Sequence, residues 1–177
     1  RVMINRRRFL GSALGCGLAG TRVFGVSQGG AAKGKLRMAC VGIGGVGKHD
    51  LTNFLQHPDA EITALCDVDS DILEARAKDV PGARKYSDWR AMFSESGDRI
   101  DAVHIAVPDH MHAPIAMSAL QLGKHVYCQK PLTHDIYESR RLAEYARSAR
   151  GVTQMGIQIH SETKYRQAVR IIQDGAI

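Results

Sequence analysis

Leu36-Arg-Met-Ala-Cys-Val-Gly-Ile-Gly-Gly-Val-Gly47 runs from a short apolar stretch straight into a cluster of glycines. An apolar run of this length that ends in glycine is typical of a strand buried on both faces. Gly42, Gly44 and Gly47 have the G-x-G-x-x-G spacing, a weak signal alone in a chain with 18 glycines. Its context strengthens it. From Val46 to Gln56 the apolar residues Val46, Leu51, Phe54 and Leu55 have helical spacing, and Pro58 stops the run. Glu61-Ile-Thr-Ala-Leu-Cys66 reads as a second strand, and Asp67 stands at its end, twenty residues after Gly47. A strand, a glycine turn, a helix and then an acid at the next strand end form the dinucleotide-binding fingerprint. Each glycine then has a reason: Gly42 for the tight turn, Gly44 for backbone approach to a pyrophosphate, Gly47 for helix packing on the sheet. The helix N-terminus offers free N–H groups and partial positive charge to phosphates. Asp67 can accept both hydroxyls of a ribose and would repel a 2′-phosphate, so NAD is expected over NADP.

The alternation continues downstream. Asp71–Asp79 reads as a helix ended by Pro81-Gly82, and a short strand near Lys85–Tyr86 precedes a helix through Trp89–Phe93. Asp101–Val107 is a strand broken by Pro108, followed by a helix from Met111 to Leu122 that stops at Gly123. His125–Cys128 is a strand. Asp135 and Glu138 resemble a capping box opening a helix to about Arg150. Val152–Ile159 is read as a last strand and Glu162–Asp174 as a last helix. Strands alternating with helices imply an α/β fold with parallel strands and right-handed crossovers, a Rossmann-type doubly wound sheet. Ligands of such sheets bind outside the carboxyl ends of the strands. The expected cofactor contacts are therefore Gly42, Ile43, Gly44, Val46, Gly47 and Asp67, with Val107, Pro108, His112, Gln129 and Gln158 lining the nicotinamide half.

The net charge of +6 invites a nucleic-acid reading. Residues 1–34, however, hold Arg1, Arg6, Arg7, Arg8, Arg22 and Lys33 and no acid; removing those six leaves 18 basic against 18 acidic residues. The remainder is neutral and has no basic run with interleaved aromatics, which excludes the footprint of a nucleic-acid binder. Cys16, Cys40, Cys66 and Cys128 form no C-x-x-C pair, so a disulfide framework or a cysteine-built zinc site is not expected. Cys40 and Cys66 read as buried core thiols, while the neighbours of Cys128 leave its role open.

Asn5-Arg-Arg-Arg-Phe-Leu10, a Gly/Ala-rich stretch and small residues around Gly25–Ala31 have the order of a twin-arginine signal. Residues 1–31 are accordingly expected to be a leader and linker read by the Tat export machinery, placing the protein in the periplasm or another extracytoplasmic space. A plain basic arm is the competing reading, and Ala13-Leu-Gly-Cys16 faintly resembles a lipoprotein box. The apolar run from Phe9 is broken by Arg22 and is shorter than the ~20 residues of a membrane span, so no stable span is expected.

Ile105-Ala-Val-Pro-Asp-His-Met-His112 and Gly123-Lys-His-Val-Tyr-Cys-Gln-Lys-Pro131 resemble the glucose–fructose oxidoreductase / inositol dehydrogenase / MocA family over about residues 36–177. The resemblance implies a Rossmann domain over 35–159, the start of a substrate domain over 160–177, and a larger second α/β domain missing from this chain. It makes Lys130 catalytic. The family signature is Glu-Lys-Pro, and here Gln129 stands where the acid is usual. Bottom-up, a partly desolvated lysine can hydrogen-bond a substrate hydroxyl and move its proton, and Pro131 restricts the backbone of Lys130 to an extended form. The bland alternative is a surface lysine. The family also has an Asp-x-x-x-His pair in its second domain, with no equivalent here. His160 could face the substrate or solvent. His110 and His112 with Asp109 could ligate a metal, but no third ligand at a recognisable spacing is visible and no metal is expected.

These readings lead to an NAD-dependent oxidoreductase of a sugar, cyclitol or related polyol, inactive as this piece alone, with assembly into a homo-oligomer left open. Outside the cytoplasm a free NAD pool is not expected, so the cofactor would be bound before export and recycled in place. The alternatives are a redox-neutral, NAD-assisted glycosidase or lyase, and a non-catalytic protein that binds NAD or sugar.

Overall fold

The computed structural model describes residues 34–176. The expected leader, including Cys16, lies outside the described residues. Six strands form one parallel sheet: β1 (Leu36–Val41), β2 (Ala60–Cys66), β3 (Arg84–Tyr86), β4 (Ala102–Ile105), β5 (His125–Gln129) and β6 (Thr153–Gly156). Their order is β3-β2-β1-β4-β5-β6, so the chain winds outward from β1 in one direction and then from β1 in the other. The carboxyl ends of β1 and β4 meet at this switch point, where a ligand crevice opens. The doubly wound sheet expected from the alternation is present.

Among the described residues five helices flank the sheet, α1 (Gly45–Leu55), α2 (Ser70–Ala77), α3 (Trp89–Ser96), α4 (Asp109–Gln121) and α5 (Ile136–Ser148), and a sixth, α6 (Thr163–Gln173), follows the last strand. The residues of β1 alternate between two cores. Met38 and Cys40 join Leu51 of α1 and Leu73 of α2 on one face. Ala39 and Val41 join Met92 of α3, Ile115 and Leu120 of α4 and Leu142 of α5 on the other. Between Met38 and Ala39 the register with β2 slips by one residue, and the hydroxyl of the extra residue, Thr63, donates to the Met38 carbonyl at 3.3 Å. Such a bulge leaves one backbone unpaired, and here a side chain supplies the partner.

Three boundaries differ from the sequence reading. Helix α4 begins at Asp109, directly after Pro108 and two residues before the expected start at Met111, so His112 is its fourth residue. Strand β6 ends at Gly156, and Gln158–Ser161 is a 3-10 turn instead of strand. β6 lies at the sheet edge with β5 as its only neighbour, and the backbone closes on itself after it, with Ile157 N–H donating to the Met155 carbonyl at 3.0 Å. The capping box of α5 is displaced by one residue. Asp135 accepts from Glu138 N–H at 2.7 Å, but the Glu138 carboxylate returns to the N–H of His134 at 3.0 Å. Among the described residues no helix is long and apolar enough to cross a membrane.

Candidate cofactor and lysine site

The glycine turn is sterically determined. A Cβ on Gly42, at φ +77°, would lie 2.3 Å from the Ala106 carbonyl oxygen, and one on Gly47 would lie 2.0 Å from the Gly42 carbonyl oxygen. Helix, turn and β4 thus approach closer than any side chain permits. Gly45 also adopts a positive φ, +45°, with open space where its side chain would be, a requirement the G-x-G-x-x-G spacing did not identify. Helix α1 starts without a side-chain cap and without an acidic residue in its first turn. Its N-terminal N–H groups and dipole therefore face an open, uncompensated position, the setting in which anions bind.

Asp67 closes the second side of the turn. Its Oδ2 accepts from Ile43 N–H at 2.8 Å and its Oδ1 from Asp69 N–H at 3.1 Å. A crevice of about 410 Å³ opens between the turn and the β4–α4 connection, lined by Gly42, Gly44, Asp67, Val107 and Pro108 among others. Val68, Ser87, Trp89, His110 and Met111 complete its walls. His110 belongs to the segment expected after β4, whereas the sequence reading missed Val68, Ser87, Trp89 and Met111, although Ser87 and Trp89 follow β3 just as Asp67 follows β2. The Trp89 indole nitrogen is buried with no partner among the described residues. An uncapped helix start, an acid held at the turn and a crevice beside them fit a dinucleotide. Other hollows of about 510 Å³ (between α4 and α5) and 560 Å³ (at the amino ends of the strands) touch none of these residues.

The remaining expected contacts are placed differently. The side chain of Ile43 is fully buried in the core, leaving its backbone to the turn, whereas Val46 is exposed. His112 is 1% exposed and lies beneath the site: its Nδ1 is the hydrogen-bond partner of the Pro131 carbonyl. That contact commits one ring nitrogen of the H-x-H pair considered as a metal site. Among the described residues, the ligand atoms of His134, Asp135 and Glu138 converge within 4.8 Å, and all three are engaged in the α5 cap.

Gln129 also points inward. It is 5% exposed, its Nε2 donates to Asp50 Oδ2 at 2.6 Å, and its Oε1 accepts from Gln158 at 3.3 Å. Asp50, on the buried face of α1, takes a second bond from His104 Nε2 at 2.9 Å. Burial alone would raise its carboxyl, but the hydrogen bonds from His104 and Gln129 outweigh that and hold it below the ordinary carboxylate value. Neither Asp50 nor His104 was singled out from the sequence, although a histidine inside Ala102-Val-His-Ile105 asks for a polar partner. Lys130 itself is exposed, at the carboxyl end of β5 between buried Gln129 and the anchored Pro131, with a cis Lys130–Pro131 peptide. Cys128, whose neighbours drew attention, is buried, and its thiol is pushed up to about 12 by that burial. Cys40 and Cys66 are raised to about 12 in the same way, so the three thiols are core groups and not nucleophiles.

Residues 36–157 match the oxidoreductase family with an NAD-binding Rossmann fold, GFO_IDH_MocA. The chain belongs to this family. It is 30% identical over 142 residues to an inositol 2-dehydrogenase of Corynebacterium glutamicum, covering 79% of this chain and 42% of that protein. It is also 30% identical over 148 residues to a glycosyl hydrolase family 109 protein of Saccharopolyspora erythraea, covering 79% and 32%. The fold matches the scyllo-inositol dehydrogenase of Lactobacillus casei, crystallised with NAD(H) and scyllo-inositol, with a TM-score of 0.72 and 29% identity over 81% of this chain and 42% of that one. The chain thus spans less than half the length of these relatives. As a member of the family it has an NAD-binding oxidoreductase fold, and the resemblance read from its motifs holds.

Proposed function

We propose that the full-length protein oxidises a sugar, cyclitol or related polyol, with Lys130 managing the proton of the reacting hydroxyl. The observation that carries this is the setting of Lys130. The lysine projects from the same strand-end edge as the glycine turn, between two hydrogen-bonded neighbours: buried Gln129 before it and Pro131, whose carbonyl meets His112, after it. In this reading Gly42, Gly44 and the α1 N-terminus hold the pyrophosphate, and Asp67 accepts the ribose hydroxyls. Val107 and Pro108 form the wall toward the nicotinamide. NAD, when bound, supplies the hydride acceptor. The chain's own part is to fix the hydroxyl beside it and hold or move its proton at Lys130 Nζ. Residues 160–177, with α6, begin the second domain, which contributes the rest of the substrate pocket.

The glycosyl hydrolase relative and the twin-arginine reading of the leader favour a second possibility at the same site. There NAD stays bound, and a sugar is oxidised and reduced within one turnover that cleaves a glycoside. The test is to purify the exported full-length protein, assay for co-purifying NAD, and add myo-inositol, scyllo-inositol, aldoses and p-nitrophenyl glycosides while following the reduced-nicotinamide absorbance and released sugar. Growth of that band with a polyol supports oxidation; a released sugar with no lasting absorbance change supports the redox-neutral form. Lys130→Ala should abolish either activity while NAD still co-purifies. Turnover unchanged in that variant would remove the lysine from the chemistry.

A further inference from the structure

We propose that Asp50 is a positioning residue for Lys130, supplying from helix α1 the carboxylate that the family's Glu-Lys-Pro signature places directly before the lysine. The inference rests on the reading of Lys130 as the proton-handling group. Gln129 stands at the signature's acid position, and its amide is only 2.6 Å from Asp50 Oδ2, both side chains being buried. A glutamate there would set two carboxylates against each other, and one would have to carry a proton. An amide donates to Asp50 and accepts from Gln158 at once at any pH, whereas an acid at this position could do both only while protonated. The carboxamide packs flat against Gly156, where a Cβ would come within 2.9 Å of it. His104 gives the carboxylate its second donor.

The consequence is mechanical as well as electrostatic. Asp50 belongs to the helix that opens on the glycine turn, and Gln129 ends the strand that presents Lys130. One buried carboxylate therefore ties the phosphate side of the crevice to the lysine side. With the Pro131 carbonyl engaged by His112, the backbone of Lys130 is held before and after the residue while its side chain stays free.

The exchange of partners tests this in the full-length protein, using Gln129→Glu, Asp50→Asn and the double variant. Two quantities are read: the thermal midpoint between about pH 5 and pH 8, and acetylation of Lys130 by acetic anhydride relative to Lys164, measured by peptide mass spectrometry. Gln129→Glu creates a carboxyl whose folded-state pKa is raised, so its stability is present at the acid end and lost as the pH rises. At the alkaline end, where the shared proton is lost, its Lys130 should acetylate about threefold or more slower than in the unmodified protein, because a second negative charge then stands beside it and favours the unreactive ammonium form. The double variant again has one carboxylate and one amide, with an acceptor for every donor. It should regain the original pH profile and bring Lys130 to within about twofold of its original rate. A Gln129→Glu profile like that of the unmodified protein would overturn the proposal. So would a double variant no better than Gln129→Glu, or Lys130 reactivity unmoved in all variants. None of these readouts requires a substrate, so they stand apart from the Lys130→Ala assay of the reaction itself.

Discussion

Asp67 combines two roles that separate experiments can distinguish. It accepts the Ile43 N–H, which shapes the turn, and it lines the crevice where a ribose would lie. If Asp67 selects NAD as proposed, replacing it with alanine removes a charge that would repel a 2′-phosphate, and the ratio of NADPH to NADH affinity should rise by about tenfold, the equivalent of about one charge-assisted hydrogen bond. Fluorescence titration of the two reduced cofactors checks this, and an unaltered ratio would remove the assignment. The variant should also melt earlier, because Ile43 N–H loses its acceptor. Asp67 was legible in the sequence because its position depends on local spacing from Gly47. The Asp50–Gln129 bond was not, because it joins residues 79 apart and has no periodicity to announce it. The same holds for His112, whose meaning depends on a carbonyl nineteen residues away.

Elements were easier to read than their edges. Buried parallel strands are apolar and bounded by glycine or proline, so five of six were located within a residue or two, and the sixth, at the sheet edge, was overextended by three. The helices followed from apolar spacing, and their starts from side chains that accept backbone N–H groups. The α5 start shows how such an end is built. Asp135 caps Glu138 N–H, and Glu138 in turn binds the N–H and Nδ1 of His134. The His134 hydrogen bonds hold the Glu138 carboxyl below its ordinary value, and Glu138 raises His134 in return. Asp135→Ala removes the capping oxygen and should cost about 1 kcal/mol of stability, measurable by urea unfolding. A loss near zero would mean that the Glu138–His134 pair alone closes the helix end. Helix α6 poses a different question, since Tyr165, Ala168, Val169 and Ile172 form a stripe of helical period and no residue of α6 is buried. A stripe with that period specifies a helix that packs on something, and the described residues do not contain its partner.

At the scale of the whole molecule, the sheet is held at its centre by hydrocarbon and at two places by carboxylates. Asp101, preceding β4, takes a bidentate pair from Arg37 of β1 at 2.6 and 2.9 Å, and the Arg37 side chain is the main reason its carboxyl is depressed. Asp50 ties α1 to β4 and β5 and is depressed by the bonds from His104 and Gln129, which prevail over its burial. A group whose folded-state pKa lies below its unfolded value stabilises the fold above that unfolded value, and the contribution is lost as the pH falls through the folded one. For both residues the ordinary value is 3.8, so the thermal midpoint should show no contribution from them to change above about pH 5 and should fall steeply below 3.8. The two losses differ in kind. Asp101 is about a third exposed, and its protonation loosens a pair that water can re-solvate. Protonating Asp50 weakens two bonds inside the core, beneath both the glycine helix and the lysine strand. Calorimetry between about pH 2 and pH 7 on Asp101→Asn and Asp50→Asn variants separates them. Asp50→Asn should flatten more of the acid limb and Asp101→Asn less. The reverse order would place the sheet's acid-sensitive link at its exposed edge and not beneath the site.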